Sequence, residues 1–243
     1  MTEKGSHNAF SFYDLEWDKE FFGVSSAKAI LHEPLAMAQW SELKNRFKNY
    51  QFVSIENRNS EPVNAQFIGR DTSAFLADVN IQFKKNLRGH YTMPVSVKVF
   101  QTLERDERVL EIADFEFSKF TEDPELLRRG GHKVYRQWLI NSFEREDKYF
   151  AISRNRKDEV NGFLLHSYAE GACIVELIAV SKIEAHSGIG TSLFRAVEYS
   201  ASHLGSMEIR VGTQVRNMNV INFYHKVGCK QVGCHQVYHL WNL

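Results

Sequence analysis

Residues 172–229 constrain the fold more than any other stretch of the chain. Ala172 to Ser181 is nearly continuous in apolar residues and reads as a buried strand. It enters a loop, Lys182-Ile183-Glu184-Ala185-His186-Ser187-Gly188-Ile189-Gly190-Thr191, that ends on Gly-x-Gly. The spacing then predicts a helix from about Thr191 to Leu204, a strand from Met207 to Thr213 and a second helix from about Met218 to Val227. Gly228 stands where that helix must stop. A buried strand feeding a helix through bare backbone exposes unbonded N–H donors at the positive end of the helix dipole. That is an anion site that needs no lysine. Gly188 and Gly190 let the backbone approach a phosphate closely. A plain turn is the competing reading. The Rossmann fingerprint is not present, because Leu193 holds the place of its last glycine.

The second helix adds a polar pair. Asn217 and Tyr224 are seven residues apart, about two turns, so they share a face. Asn217 or Asn219 is a natural cap for this helix.

Upstream the pattern is mixed. Leu35 to Leu43 reads as helix, and Phe52–Ile55, Phe75–Phe83 and Val95–Leu103 as strands. Val109 to Phe117 alternates and is expected to be a strand. Val134 to Phe143 reads as helix, and Tyr149–Ser153 with Val160–Tyr168 as a hairpin about the turn at residues 155–158. Gln231 to Leu240 closes the chain as a strand. The second half thus runs β-α-β-β-β-α-β-α-β, an α/β (α+β) arrangement about one sheet. The mixed charge run Glu104–Arg108 marks a boundary between 1–105 and 106–243, unless it is a charged hairpin tip.

Composition narrows the function. Thirty Lys and Arg balance thirty Asp and Glu, so the chain lacks the long-range field that draws a protein to nucleic acid or to an anionic bilayer. No stretch approaches the ~20 apolar residues of a membrane span. Three cysteines without a Cys-x-x-Cys spacing point to neither disulfides nor zinc, which fits a cytoplasmic protein. Cys173 and Cys229 read as buried and inert, and His235 and His239, on a strand, do not read as metal ligands.

The strand, the Gly-x-Gly loop with its helix, and the Asn…Phe-Tyr-x-x-x-Gly helix together resemble the GNAT superfamily of acyl-CoA-dependent N-acyltransferases, over roughly Val109 to Leu243. The resemblance implies a mixed, mostly antiparallel central sheet flanked by helices, with a smaller degenerate GNAT-like domain in front. It implies acyl-CoA as co-substrate and no metal. The CoA pyrophosphate is expected on His186, Ser187, Gly188, Ile189, Gly190 and Thr191. The pantetheine arm is expected along Ile178, Ala179 and Val180, in a gap between this strand and the next, with Asn217 touching it. Tyr224 is the implied general acid for the leaving thiolate; a free thiol titrates near ~8.5 and a phenol near ~10. The family usually places Gln or Arg where this chain has Ala185, so one side-chain contact is missing; His186 and Lys182 stand close by. Glu176 is a candidate water-mediated base, although a lone glutamate on a central strand is more often a structural carboxylate; His166 and Asp114 are the other bases considered. A sugar amine that is partly neutral near pH 7 needs no strong base.

Leu15-Glu16-Trp17-Asp18-Lys19-Glu20-Phe21-Phe22-Gly23 looks like the opening of the bacterial dTDP-fucosamine N-acetyltransferases, and Ser118-Lys119-Phe120-Thr121-Glu122-Asp123-Pro124 followed by Tyr135-Arg136-Gln137-Trp138-Leu139 is similar to their acceptor-side loop and helix. Lys119 stands where Arg is expected. This narrower resemblance implies transfer of an acetyl or 3-hydroxybutanoyl group to a dTDP-linked 3-amino or 4-amino dideoxysugar for surface polysaccharide, by a homodimer. Trp17, Phe22, Lys119, Arg128, Arg129 and Tyr135 become acceptor candidates. Arg128-Arg129-Gly130-Gly131-His132-Lys133 reads as an anion-binding turn before a helix or as a solvated helix start. Trp17, Phe21 and Phe22 read as a stack for thymine or as core. The alternatives are a GNAT acting on a peptide N-terminus or an aminoglycoside, and a CoA-binding module without catalysis.

Overall fold

The computed structural model describes residues 9–185 and 187–243; His186, a candidate of the phosphate loop, lies outside the described residues. In chain order the strands and α-helices are β1 (Phe10–Asp14), α1 (Glu16–Phe22), β2 (Ser26–Leu31), α2 (Met37–Phe47), β3 (Phe52–Asn57), α3 (Pro62–Asp71), β4 (Phe75–Asn86), β5 (Val97–Gln101), α4 (Glu107–Ile112), α5 (Lys119–Glu122), α6 (Pro124–Arg128), α7 (Val134–Ser142), β6 (Tyr149–Arg154), β7 (Val160–Ala169), β8 (Ala172–Val180), α8 (Ile189–His203), β9 (Glu208–Gln214), α9 (Met218–Lys226) and β10 (Lys230–Trp241). The chain groups into two compact units, neither continuous in sequence. Unit 1 holds 1–81, 119–131 and 233–243; unit 2 holds 82–118 and 132–232.

In unit 1 the strands lie in the order β1-β2-β3-β10. β2 and β3 pair in parallel, and the β1–β2 and β3–β10 pairs are antiparallel. The residues Ala27, Ala29, Leu31, Val53 and Ile55 alternate onto one face and are buried under Trp40, Leu43, Phe47, Phe67 and Ile68 of α2 and α3. The small alanines let the large rings of the helices come close. Trp40 still meets its polar need, donating from Nε1 to Asp71 at 2.8 Å. On β10, His239 and Trp241 converge on Asp123 at the start of α6: its Oδ2 lies 2.7 Å from His239 Nδ1 and accepts from Trp241 Nε1 at 3.0 Å. The other oxygen caps α6 by accepting from the N–H groups of Glu125 and Leu126.

In unit 2 the order is β9-β8-β7-β6-β5, antiparallel throughout except for the parallel β8–β9 pair. α4 and α7 cover one face through Val109, Leu110, Leu139 and Phe143, packed on Phe150, Phe163, Leu165 and Leu177. α8 crosses the other face above Gly162, where an added Cβ would stand 2.8 Å from Ile189 Cγ2 and 3.1 Å from Leu193 Cδ1.

One expectation fails here. Residues 109–117 are not a strand: 107–112 form α4 and a non-strand segment follows. Asp106 caps the helix, accepting from Arg108 N at 2.9 Å. Val109 and Leu110, neighbours in sequence, are both buried, which a strand with one buried face does not allow.

β7 also buries His166 between the rings of Tyr149 and Tyr168, with both ring nitrogens lacking a hydrogen-bond partner among the described residues. Burial lowers its pKa to about 4. The unfolded chain takes up this proton near pH ~6.5 and the folded chain only near 4, so acid favours unfolding between those values. Denaturant unfolding is therefore expected to lose about 3 kcal/mol of stability from pH 7 to pH 4 through this residue, at ~1.4 kcal/mol per tenfold in proton affinity. His166→Leu flattens that limb. An unchanged pH dependence in the variant contradicts the assignment.

Candidate active site

The site in unit 2 begins where a strand pair stops. β8 and β9 are in register only from Ala172↔Glu208 to Val175↔Val211. Beyond that β8 runs on to Val180 and β9 to Gln214 with no further pairing between them. The edge of β8 facing away from β7 is therefore bare from Glu176 to Val180, while its other edge stays paired up to Val180↔Gly162. The cause is visible in the register. Leu165 opposes Leu177 and His166 opposes Val175, which leaves Glu176 as the extra residue of a β-bulge. Such a bulge bends the strand and turns it out of its ladder.

Glu176 is held at that bulge. Its Oε1 accepts from Lys148 Nζ and from Ser167 Oγ, both at 2.5 Å, and its Oε2 accepts from Trp138 Nε1 at 3.2 Å. A carboxylate so engaged ties α7, β7 and the residue before β6 to the bend, which is the structural reading of this residue.

The bare edge leads into the loop. Ser181 N donates to Asn161 O at 2.9 Å, and residues 182–184 make one tight turn. Gly188, at φ +87°, is the N-cap of α8; the left-handed conformation explains glycine there. No side chain caps this helix and no acid occupies its first turn. The first amide to find a helical acceptor is Ser192 N, on Gly188 O at 3.0 Å. Among the described residues the N–H groups of Ile189, Gly190 and Thr191 have no acceptor, as the first amides of a helix commonly do not. A methyl group on Gly190 would meet Phe223 and Val180 at ordinary van der Waals distance, so packing alone does not demand glycine there.

α9 carries the other two candidates. Asn217 is its N-cap, with Oδ1 accepting from Val220 N at 3.2 Å. Tyr224 is buried against Phe83, Phe194 and Phe223. Burial pushes its hydroxyl well above the ordinary tyrosine range, so it keeps its proton at neutral pH. Gly228, at φ +86°, ends the α9 segment.

The acceptor candidates divide. Phe22 is buried against Phe120 and belongs to the core of unit 1, so it has no free face for a base. Trp17 stacks on Phe21 at 4.6 Å. Arg128 and Arg129 both bind Glu125, at 2.6 and 2.8 Å, and hold its carboxyl down at about 2. Arg129 also donates to Phe22 O and lies over Trp241. The two cations thus share one carboxylate, and the turn they begin is shaped by packing: a Cβ on Gly131 would stand 1.9 Å from Phe120 O. Tyr135, in unit 2, packs on Phe115 with ring centroids 4.7 Å apart. Lys119 differs from the other cations. Its ammonium has no ion pair within 4 Å among the described residues, and burial lowers its pKa beside Lys28, Asp78, Glu56 and Asp18. Burial raises the carboxyls of Asp18 and Asp78, while Glu56 is tied to Lys28 at 2.8 Å. Sequence reading picked out Lys119 alone from this cluster. Asp18, inside the Trp-Asp motif, was the available signal for the rest.

Among the described residues no group of His, Cys, Asp and Glu is arranged to hold a metal ion. Cys173 and Cys229 are buried thiols pushed up to about 12, far from a reactive thiolate. No described helix is long and apolar enough to cross a membrane.

A strand pair opened beside an uncapped helix start leaves backbone groups bare on both elements, and comparison gives the class its name. Residues 107–229 match the acetyltransferase (GNAT) family, and the chain belongs to it. The spore coat polysaccharide biosynthesis protein SpsD of Bacillus subtilis (strain 168) is 23% identical over 137 residues, covering 56% of this chain and 47% of that protein. The chain thus spans about half the length of this curated relative. Among solved structures, a conserved protein of unknown function from Staphylococcus epidermidis superposes with a TM-score of 0.65 at 13% identity, over 99% of this chain and 94% of that one. A tandem GNAT protein from the clavulanic acid biosynthesis pathway superposes with a TM-score of 0.57 at 14% identity, over 89% of this chain and 75% of that one. These likenesses establish a mixed α/β GNAT fold.

The tight seat of α8 on β7 is open to test. Gly162→Ala is expected to lower the unfolding free energy by about 1–3 kcal/mol, because Ile189 and Leu193 must yield to the new methyl. It is also expected to raise the KM for acyl-CoA by displacing the helix start. A variant with unchanged denaturation midpoint and KM contradicts this seat.

Proposed function

We propose that this GNAT acetyltransferase moves an acetyl or 3-hydroxybutanoyl group from acyl-CoA to the amine of a dTDP-linked 3-amino or 4-amino dideoxysugar, for surface polysaccharide synthesis. The observation that carries the acyl-CoA half is the loss of β8–β9 pairing after Val175 beside the uncapped start of α8. The pyrophosphate lies on the amides of Ile189, Gly190 and Thr191, flanked by Ser187 and Gly188. The pantetheine amides pair with the bare edge at Ile178, Ala179 and Val180, with Asn217 on the same arm. The amine attacks the thioester carbonyl, the C–N bond forms and the C–S bond breaks. The oxygen that gains charge takes a backbone N–H of β8, and the departing sulfur takes the Tyr224 proton, which water returns to the phenolate as the amine releases its own. The acceptor amine sheds its own proton to water, and Glu176 stays an anchor.

The acceptor half rests on the Trp17-Asp18 motif, on the ammonium of Lys119, which has no ion pair among the described residues, and on a relative named for polysaccharide biosynthesis. Trp17 and Lys119, both of unit 1, are the residues assigned to it. The carboxylates Asp18 and Asp78 beside Lys119 favour a second reading, a polycationic aminoglycoside acceptor.

Thiol release separates these. Acetyl-CoA and 3-hydroxybutanoyl-CoA, each mixed with dTDP-3-amino and dTDP-4-amino dideoxysugars, are expected to release CoA with at least one pair. Tyr224→Phe is expected to lower kcat by roughly 10²–10⁴ with little change in KM. Turnover of aminoglycosides or peptides alone overturns the acceptor assignment, and full kcat in Tyr224→Phe overturns the acid.

A further inference from the structure

Unit 2 sets a pair of charges into the apolar packing around Tyr224. Lys85 of β4 and Glu198 of α8, both largely buried, form an ion pair. The same ammonium donates to Val227 O at 2.6 Å, just past α9, and stands 5.9 Å from the centre of the Phe194 ring. An ammonium has three donors, and two of these join α8 to the end of α9. Gly228 makes the room: a Cβ there would stand 3.3 Å from Lys85 Nζ. A buried ion pair is costly to desolvate, and an apolar pair of similar volume commonly serves stability as well. Stability alone therefore does not account for these two charges.

The rest of β4 shows what they act on. Phe83 and Lys85 are two residues apart and share one face of the strand. Phe83 packs on the Tyr224 ring at 5.4 Å between centroids, and Phe194 lies at 6.4 Å. Tyr224 is buried, and its hydroxyl has no hydrogen-bond partner among the described residues. No polar contact aims the phenol, so its direction is set by its helix and by the rings around it. Lys85 holds that helix three residues further on, at the carbonyl of Val227, where the negative end of the helix dipole also favours a cation.

We propose that Lys85 is a positioning residue of the transfer reaction: through Val227 and Glu198 it fixes α9 against α8, and so fixes where the Tyr224 hydroxyl stands. It touches no substrate in this role. The proposal rests on the reading of Tyr224 as the acid.

The test follows Tyr224 itself. The full chain is prepared with fluorotyrosine, and the ¹⁹F line lost in Tyr224→Phe is that of Tyr224. CoA is expected to shift this line in the wild type. Lys85→Met/Glu198→Met removes both charges together, so no buried charge is left alone and the fold is kept. In it CoA is expected to bind with a Kd within about twofold of the wild type, because Glu198 lies in the far half of α8 from its start, and to shift the Tyr224 line less than half as far. Lys85→Arg, which keeps donors for both acceptors, is expected to restore the shift. Thiol release from acetyl-CoA with the dTDP-amino sugars is expected to fall roughly 10–100-fold in kcat in the charge-free variant with KM nearly unchanged, and the fall is expected to vanish in the Tyr224→Phe background. A merely structural role moves Kd, KM and the denaturation midpoint together. An undiminished CoA shift in the charge-free variant, or losses that follow the denaturation midpoint across the variants, overturns the positioning role. CoA that binds without moving the wild-type line overturns the acid reading; the tie is then judged by whether the Tyr224 line of the free chain differs between the wild type and Lys85→Met/Glu198→Met, and an identical line overturns it.

Discussion

The parting of β8 from β9 after Val175 is the constraint on which the catalytic unit depends. A parallel pair that continued would satisfy every backbone group of both strands and leave nothing for a substrate. Opening it strips one edge of β8 of its ladder, and each unpaired buried amide costs about 1–3 kcal/mol unless water or a ligand takes it. The fold must therefore hold the wedge open by other means. The bulge at Glu176 turns the strand, and the Lys148–Glu176 ion pair with Ser167 and Trp138 fixes the turn. Gly162 lets α8 settle close on β7 at one end of the helix. Lys85 works elsewhere on it: it pairs with Glu198 of α8 and donates to Val227 O at 2.6 Å, just past α9. The two helices that flank the wedge are thus tied to one lysine of β4.

Charge is spent differently in the two units. Around the wedge the groups to which we assign acyl-CoA are backbone amides and a tyrosine that keeps its proton, a set that meets an anion without a cationic side chain. In unit 1 the ionisable groups are drawn inward. Lys119, Asp18 and Asp78 are each pushed toward neutrality by burial, while Lys28 beside them pairs with Glu56 at 2.8 Å and helps hold that carboxyl low. Desolvated groups of both signs kept near one another suit a ligand rich in hydroxyl groups, which donates to the acids and accepts from the amine.

Most of unit 2 could be read in advance because its elements carry strong local signals. The apolar run of β8, the glycine before α8 and the glycine after α9 each enforce a local geometry whatever surrounds them. The failure at Val109–Phe117 was a failure of period. Alternation suggested a strand, but the Asp106 cap and two adjacent buried residues make 107–112 a helix. The wedge itself was legible only through resemblance, since nothing in the residues of β9 announces where its pairing ends. The fates of Arg128 and Arg129 were hidden as well. Two arginines beside glycines suggest an anion, and only the packed structure reveals Glu125 between them. The interleaving of the units, with 233–243 returning to the first 81 residues, leaves no mark in composition or pattern because strand pairing is non-local.

The central claim is that main-chain amides at one helix start and one bare strand edge take up the acyl carrier. Titrating CoA into the ¹⁵N-labelled chain and following backbone amide shifts tests it most directly. The account predicts the largest shifts at Ile189, Gly190 and Thr191 and along Leu177 to Val180, saturating together with one Kd. Saturable binding that leaves both segments unmoved contradicts it.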